Sequence, residues 1–329
     1  MRRIAPNSFA IPFSLAGLGG LWLTAADAGG APRAVGEALF LVAAVVWLAL
    51  VLAYGAHVAT RRGTLGSDLV HPVLSPFLTL VTITPMIVVA GGLGPYAPAG
   101  ATVCTDVLIG LTVLHGSWFT GQLIHAEYTL DQLHPGYFIP TVAGGLLASV
   151  AAVQVGQTGL AWVLFGYGMI AWLVIGSIIL GRLFFGPRLP EALVPTLAIQ
   201  VAPGAVASLA WFSLDGGRID TVARLFAGYG VLMVVAQVRL LPAYLRLRFS
   251  GAFWAFAFSW TAVATVGLHW IRETGPAGGD VGAALVLAAA TLLVGAIAVR
   301  TVVALYRGEL FPRDAVPDPP SFAAWRRAA

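Results

Sequence analysis

The chain has 329 residues, of which 59% are hydrophobic and only 10% are charged, and its formal net charge is +4. Soluble domains carry about 25% charged residues, so this composition excludes a soluble globular protein and predicts an all-α integral membrane protein. Every basic residue is an arginine, and most stand at the ends of apolar runs, where they orient helices rather than bind nucleic acid. Cys104 is the single cysteine, which excludes an intrachain disulfide.

Ten apolar runs are long enough to cross a bilayer as helices. In chain order they occupy residues 9–25, 34–59, 73–92, 100–121, 137–154, 158–182, 193–213, 219–242, 250–271 and 279–306. Their connections are short, which predicts antiparallel hairpins between sequential helices. We expect one ten-helix transmembrane domain over residues 1–308 and a short, disordered cytoplasmic tail over residues 309–329.

The first run has two interpretations. Arg2, Arg3, an apolar core and the sequence Ala26-Asp27-Ala28 imitate a secretory signal peptide, which would be removed. Pro12 and the family resemblance described below favour a retained first helix.

Arginine placement orients the bundle. If ten helices alternate, twelve arginines fall on one side and four on the other, and the side richer in arginine is cytoplasmic. The twelve are Arg2, Arg3, Arg61, Arg62, Arg182, Arg188, Arg246, Arg248, Arg307, Arg313, Arg326 and Arg327, and the four are Arg33, Arg218, Arg224 and Arg272. Both termini are therefore expected in the cytoplasm. Arg239 lies deeper in the eighth run, and we expect it to pair with a carbonyl or an acid between helices.

Prolines alternate between the runs. Pro12, Pro85, Pro140 and Pro203 lie inside the first, third, fifth and seventh runs, whereas the even-numbered runs have no interior proline. Proline in a membrane helix frees a carbonyl, and broken helices belong where backbone lines a cavity. The alternation predicts inner odd helices that are ringed by outer even helices. The ninth run departs from it, because it lacks proline and holds Phe258 at the comparable depth.

The odd runs contain no Asp, Glu, Lys or Arg, and His269 is their one ionisable side chain of physiological relevance. Proton-coupled carriers usually keep an intramembrane carboxylate or histidine relay, and cation channels often use carboxylate rings. Hydroxyls and backbone amides without competing carboxylates favour a partly dehydrated anion. The alternative is that the hydroxyls only join helices. These hydroxyls belong to Ser14, Thr82, Thr84, Thr141, Ser208, Ser259 and Thr265.

Enzyme signatures are weak or missing. The Gly-Tyr-Gly sequences at residues 166–168 and 228–230 lie inside apolar runs and lack the strand, third glycine and acidic partner of a dinucleotide site. The sequence has no Walker A motif and no spacing typical of metal ligands. We therefore expect no enzyme activity, no cofactor and no metal ion.

The ninth run forms two unlike helical faces. Phe249, Phe253, Phe256 and Trp260 predict an aromatic stripe that packs the helix against its neighbours. The other face carries Phe258 among small residues, which are Gly251, Ala255, Ala262 and Thr265. Small residues let a neighbouring helix approach closely or leave space open, and one ring in that space would be a plug. The alternative is that Phe258 is ordinary packing.

Six motifs occur in a specific order along the chain. They are residues 8–16 (SFAIPFSLA), 134–140 (HPGYFIP), 165–172 (FGYGMIAW), 201–203 (VAP), 228–230 (GYG) followed by 239–242 (RLLP), and 253–258 (FWAFAF). Their order and spacing resemble the tellurite-resistance/dicarboxylate transporter family, closest to its bacterial TehA-like branch. Plant guard-cell slow anion channels and fungal malate carriers are relatives of that family. The resemblance covers essentially all ten spans.

The resemblance implies five helical hairpins in a quasi-fivefold arrangement around a central pore, assembly as a homotrimer and passive anion permeation. It also implies a pore-blocking phenylalanine in the ninth helix, which maps onto Phe258. The pore-lining candidates are Ala10, Pro12, Ser14, Thr84, Pro85, Pro140, Thr141, Pro203, Ser208, Gly251, Ala255, Ala262 and Thr265. The family's first inner helix typically reads Phe-Gly-Ile-x-Leu-Gly, so Ala10 and Ser14 replace two glycines, which narrows the pore or adds a hydroxyl to it.

The leading hypothesis is a gated passive channel for small anions such as chloride or nitrate in the inner membrane of a bacterium. Its expected partners are small inorganic or carboxylate anions and the lipid bilayer, with no nucleic acid. The alternatives are a proton-coupled carrier for C4-dicarboxylates, a tellurite exporter and a non-transporting scaffold. A coupled carrier needs a titrating residue on its path, and His269 is the candidate. A scaffold gives no reason for the proline alternation.

Overall fold

The computed structural model describes residues 4–126 and 128–310, and within them ten helices are long and apolar enough to span a membrane. The spans are α1 (Pro6–Asp27), α2 (Arg33–Thr60), α3 (Ser75–Leu93), α4 (Pro98–His125), α5 (Pro135–Gln154), α6 (Thr158–Phe185), α7 (Glu191–Leu214), α8 (Thr221–Tyr244), α9 (Gly251–Thr274) and α10 (Gly279–Arg307). A short helix, Thr64–Val70, precedes α3, and the described residues contain no strand. The predicted all-α membrane class with ten spans is confirmed.

Each predicted run overlaps one span, and the ends agree within four residues. The largest difference is at α4, which continues from the predicted end at residue 121 to His125. α8 continues to Tyr244, so Pro242 lies inside its last turn, and the expectation that even spans lack interior proline is wrong there. Five of the orienting arginines and most of the predicted tail lie outside the described residues; the arginines are Arg2, Arg3, Arg313, Arg326 and Arg327.

The odd and even spans differ in backbone regularity. Each even span is one continuous α-helix. Each odd span contains a 3-10 or π-helical segment, and these segments are Pro6–Phe9, Val89–Leu93, Pro135–Tyr137, Ile139–Ala143, Glu191–Val201 and Gly251–Phe253. In α3, α5 and α7 the irregular segment contains or closely follows Pro85, Pro140 or Pro195, because proline removes an amide donor and crowds the preceding turn.

The odd spans form the inside of the bundle. Between 44% and 83% of the residues in their most apolar windows are buried, against 11% to 33% in the even spans. Contacts between odd spans run from α1 through α3, α5 and α7 to α9, and α9 contacts α1 again. Each even span packs against the odd span before it, as in a helical hairpin. The odd spans are therefore the inner helices, as the proline alternation predicts.

The outer layer is broken at one place. Four even spans also pack against the next odd span of the ring: α2 on α3, α4 on α5, α6 on α7 and α10 on α1. Within the described part of the chain, α8 has no comparable packing against α9. A groove between α8, α9 and α10 is left open to the outside of the bundle.

Candidate functional site

Two cavities lie inside the ring, and all five odd spans line both of them. The narrow cavity has a volume of about 40 Å³ and lies toward the N-terminal ends of the odd spans. The wide cavity has a volume of about 420 Å³ and lies toward their C-terminal ends. Because the odd spans all run in the same direction, the two cavities lie one after the other along the central axis of the ring.

Phe258 stands between the two cavities. Among the described residues, it is the one side chain that lines both. Ala255, one turn earlier in α9, lines the narrow cavity, and Ala262, one turn later, lines the wide cavity. A water molecule needs about 10–15 Å³ of cavity space, so both cavities are large enough for water. The Phe258 ring therefore lies where the narrow cavity meets the wide cavity.

Phe258 is stacked on a second ring, Phe13 of α1. Their centroids are 3.7 Å apart, and their planes are inclined by 18°. Phe13 is buried and lines the narrow cavity. Two stacked rings from adjacent inner spans therefore lie at the junction of the two cavities.

Gly17, one turn after Phe13, makes room for the Phe258 ring. A Cβ atom at this position would lie 2.9 Å from Cδ2 of Phe258 and 2.8 Å from the hydroxyl of Thr261. Real Cβ atoms essentially never approach other heavy atoms this closely. The absence of a side chain at Gly17 is thus a condition for the observed position of the ring.

Sequence reasoning missed Phe13 and Gly17. The signal for Phe13 was present, because it occupies the leucine position of the family's Phe-Gly-Ile-x-Leu-Gly pattern. Its contact with Phe258 joins the first and ninth spans, which lie side by side only because the ring of odd spans closes. Helical spacing within one span does not reveal a contact between spans so distant in the chain.

Five of the thirteen predicted pore-lining residues line one of the two cavities: Ala10, Pro203 and Ala255 line the narrow one, and Ala262 and Thr265 line the wide one. The structure places the other eight off both cavities. Those eight are Pro12, Ser14, Thr84, Pro85, Pro140, Thr141, Ser208 and Gly251.

The hydroxyls among those eight are turned toward protein. Ser14 Oγ donates to the carbonyl oxygen of Trp254 at 3.1 Å, and Ser208 Oγ donates to the carbonyl oxygen of Gly204 at 2.8 Å. Thr84 and Thr141 are buried within the helix wall. The prolines act through the backbone, where they break the regular helix, so their rings need not face the cavities.

Ser14 has a supporting position instead. Its hydrogen bond joins α1 to the carbonyl of Trp254, one helical turn before Phe258. The indole nitrogen of Trp254 donates to Thr301 Oγ1 of α10 at 2.9 Å. These two bonds hold the first turns of α9 against both neighbours and so position Phe258.

Charged side chains line the wide cavity only at its mouth. Arg33 and Asp27 line it there, with 2.9 Å between Nη1 and Oδ1. Arg33 also pairs with Glu37 at 3.1 Å from Nε to Oε1. The cluster of one arginine and two carboxylates keeps a formal charge of −1 at the mouth, and its partial exposure lets solvent and salt screen that charge.

His269 lines the wide cavity as well. Its Nε2 lies 2.7 Å from the carbonyl oxygen of Gly217, to which it donates a hydrogen bond. The imidazole is also stacked on Phe212, with centroids 3.9 Å apart. Both contacts fix the ring in the cavity wall.

Within the described residues, no group of three or more His, Cys, Asp or Glu side chains is arranged to hold a metal ion.

A family model described as voltage-dependent anion channel, SLAC1, matches residues 3–302. This chain belongs to the SLAC1 voltage-dependent anion channel family. The chain is 27% identical over 267 residues to the tellurite resistance protein TehA homolog of Haemophilus influenzae, and the match covers 78% of each protein.

Plant members of the SLAC1 family are also similar. S-type anion channel SLAH4 of Arabidopsis thaliana is 30% identical over 165 residues, which are 49% of this chain and 44% of the relative. The guard cell S-type anion channel SLAC1 of the same plant is 25% identical over 155 residues, 46% of this chain and 27% of the relative. The match thus spans less than half the length of these two plant channels. The predicted TehA-like family membership is confirmed, as is a multi-pass membrane protein.

Proposed function

We propose that this protein is a gated passive channel for small monovalent anions such as chloride or nitrate, and that Phe258 is its gate. The observation that carries the proposal is the position of this ring between two cavities that all five inner spans line. The stack on Phe13 and the space left by Gly17 support a defined closed position for the ring. Membership of an anion channel family supports the class of solute.

The chemistry of the walls favours anions with a low cost of dehydration. The narrow cavity is lined by apolar side chains and by one hydroxyl residue, Ser259, so a permeating ion receives little help from fixed charges. Unpaired carboxylates, which would repel anions and attract cations, are missing from the described lining residues. Such a path suits a monovalent anion that can shed part of its water shell.

The proposal extends to the setting of the channel. The twelve-to-four arginine distribution supports an orientation with both termini in the cytoplasm of a bacterium and the spans in its inner membrane. In that orientation the narrow cavity faces the cytoplasm and the wide cavity faces the outside. The resemblance supports a homotrimer in which each protomer has its own pore. Of the thirteen predicted pore-lining residues, Ala10, Pro203, Ala255, Ala262 and Thr265 are then the ones that line the open pore.

The test is electrophysiology on the wild type and on the Phe258→Ala variant. The proposal predicts a larger anion current in the variant, with a linear dependence on anion concentration and no requirement for a pH gradient. An unchanged current with confirmed surface expression contradicts the assignment of the gate.

A second candidate function is a proton-coupled carrier for C4-dicarboxylates or an exporter of tellurite. The observation that favours it is His269, a titratable group in the wall of the wide cavity. The name of the Haemophilus influenzae relative refers to tellurite resistance. Flux into proteoliposomes that saturates with malate and follows an imposed pH gradient would favour the carrier over the channel.

A further inference from the structure

The groove between α8, α9 and α10 opens to the outside of the bundle and has a volume of about 410 Å³. Its walls are apolar and include Leu241 of α8 and both Leu293 and Ile297 of α10. Phe256 and Trp260 form its floor. The aromatic stripe of α9, which the sequence predicts as packing against neighbours, thus lies partly open where α8 fails to cover it.

The polar side chains that line the groove form hydrogen bonds with other protein atoms, so they are not free to bind a ligand in the groove. The hydroxyl of Tyr244 donates to Oε1 of Gln237 at 2.7 Å. Nε2 of Gln237 donates to the carbonyl oxygen of Leu197 at 3.0 Å. The groove therefore offers an occupant apolar surface, which suits a hydrocarbon chain.

Arg300 stands at one end of the groove. Leu293, Ile297 and Arg300 follow i, i+4 and i+7 in α10, so they share one face of the helix. The guanidinium carbon of Arg300 lies 5.7 Å from the ring centroid of Phe249. Phe249 in turn packs against Phe253, a lining residue of the groove, at 5.3 Å between centroids. A cation thus lies one helical turn beyond the apolar section.

This cation lacks an acidic partner. Within residues 4–126 and 128–310, no carboxylate forms an ion pair with Arg300, and its side chain is exposed. It lies seven residues before Arg307, the end of α10, which is about 10 Å at 1.5 Å per residue. At this depth a long arginine side chain reaches the level of the lipid phosphates. An unpaired arginine at the end of an apolar groove can pair with the anionic headgroup of a lipid whose acyl chain fills that groove.

We propose that the groove and Arg300 together form a binding site for an anionic phospholipid. One acyl chain lies in the groove, and the phosphate pairs with the Arg300 guanidinium, whose fork of donors matches phosphate oxygens. The cation–π contact with Phe249 holds the guanidinium at the groove end. Basic positions between membrane helices on the cytoplasmic side are where anionic headgroups bind.

The site is tested on the purified full-length protein by native mass spectrometry with added phosphatidylglycerol or phosphatidylcholine. The wild type is expected to retain phosphatidylglycerol preferentially. Arg300→Gln is expected to reduce that preference by about fivefold, the factor for one arginine near an anionic surface. The matched control is Arg239→Gln, because Arg239 is an exposed arginine of α8 that does not line the groove. It is expected to leave the preference unchanged.

A second variant keeps the test valid if Arg300→Gln folds poorly. Leu293→Trp fills the groove without changing any charge, and it is expected to lower the retention of both lipids. Equal phosphatidylglycerol preference in the wild type and Arg300→Gln overturns the proposal, as does an equal loss in Arg239→Gln.

A second copy of the chain is the other possible cover for the groove. Leu241→Cys, made in a Cys104→Ala background, places a single thiol at the groove. Disulfide cross-linking between two copies through this thiol would show that protein occupies the groove and would overturn the lipid site. A thiol that stays uncross-linked and is protected from labelling by phosphatidylglycerol supports it.

Discussion

Replacing Phe258 by alanine removes the ring between the two cavities and its stack with Phe13. For the wild-type ring to leave the path, it must first break that stack, which is worth about 0.5–1.5 kcal/mol. It must also expose part of a half-buried side chain, whose full burial would be worth about 1.5–3 kcal/mol. Closure is therefore favoured by about 1–3 kcal/mol.

This free energy fixes the size of the expected effect. Because about 1.4 kcal/mol is a factor of ten in an equilibrium, the unblocked form of the wild type is disfavoured by about 5- to 150-fold. Phe258→Ala makes unblocking unnecessary, so the anion current per molecule at the surface should rise by about that factor. A smaller rise would indicate a second barrier in series, in the apolar wall of the narrow cavity.

The assay is voltage clamp on cells or planar bilayers, with surface protein quantified for each variant. Phe256→Ala is the matched control, because Phe256 is in the same helix but lines the outer groove and neither cavity. It should keep the wild-type current. The reasoning is refuted if Phe258→Ala conducts like the wild type at equal surface density, or if Phe256→Ala conducts as well as Phe258→Ala.

Three further predictions follow from the same geometry. Phe13→Leu keeps apolar bulk but loses the ring stack, so the anion current should rise by about 2- to 12-fold. The double variant Phe13→Leu/Phe258→Ala should conduct no better than Phe258→Ala alone. A larger current in the double variant would argue against a block that the two rings share. Gly17→Ala forces the Phe258 ring from its position, so the basal current should rise and the melting temperature should fall. A Gly17→Ala variant with the current and the melting temperature of the wild type would contradict the close contact between Gly17 and Phe258. Asp220 caps α8 by accepting a hydrogen bond from the amide of Ala223, and this bond holds the pKa of its carboxyl below the usual range of an aspartate. Its stabilising effect is fully present above the pKa of an unfolded aspartate and is lost as the pH falls through the lowered pKa. The melting temperature of the wild type should therefore fall at acid pH, whereas Asp220→Asn, which can still cap the helix, should lack this component of the fall.

The number and order of the spans could be predicted because short polar connections separate the apolar runs from one another. The inner and outer assignment was readable from proline, since a broken helix leaves carbonyls that need partners inside the bundle. Packing of the eighth span was not readable. Its apolar length resembles that of the other outer spans, yet it leaves α9 partly uncovered.

Among single residues, too, some positions could be predicted from the sequence and others could not. Phe258 was singled out because it is a ring on a face of small residues and because the family resemblance maps a pore-blocking phenylalanine onto it. The structure places it between the two cavities, and its role as a gate stays a prediction. Ser14 was predicted to line the pore because hydroxyls in membrane helices serve either solutes or neighbouring helices, and only the direction of its Oγ toward Trp254 decides between them. Arg239 was expected to pair between helices, but it is exposed, and no carboxylate of the described residues forms an ion pair with it. The position of Arg239 around the α8 axis decides whether its side chain faces a neighbouring helix or the outside, and composition does not reveal that position.

The reversal potential of the Phe258→Ala current tests the central claim most directly. For a passive anion channel, a tenfold change in the chloride or nitrate gradient at constant pH should shift the reversal potential by about 59 mV in the direction expected for an anion. A change in the pH gradient at constant anion concentration should leave it in place. A reversal potential that follows the pH gradient, or that ignores the anion gradient, would contradict a passive anion path gated by Phe258.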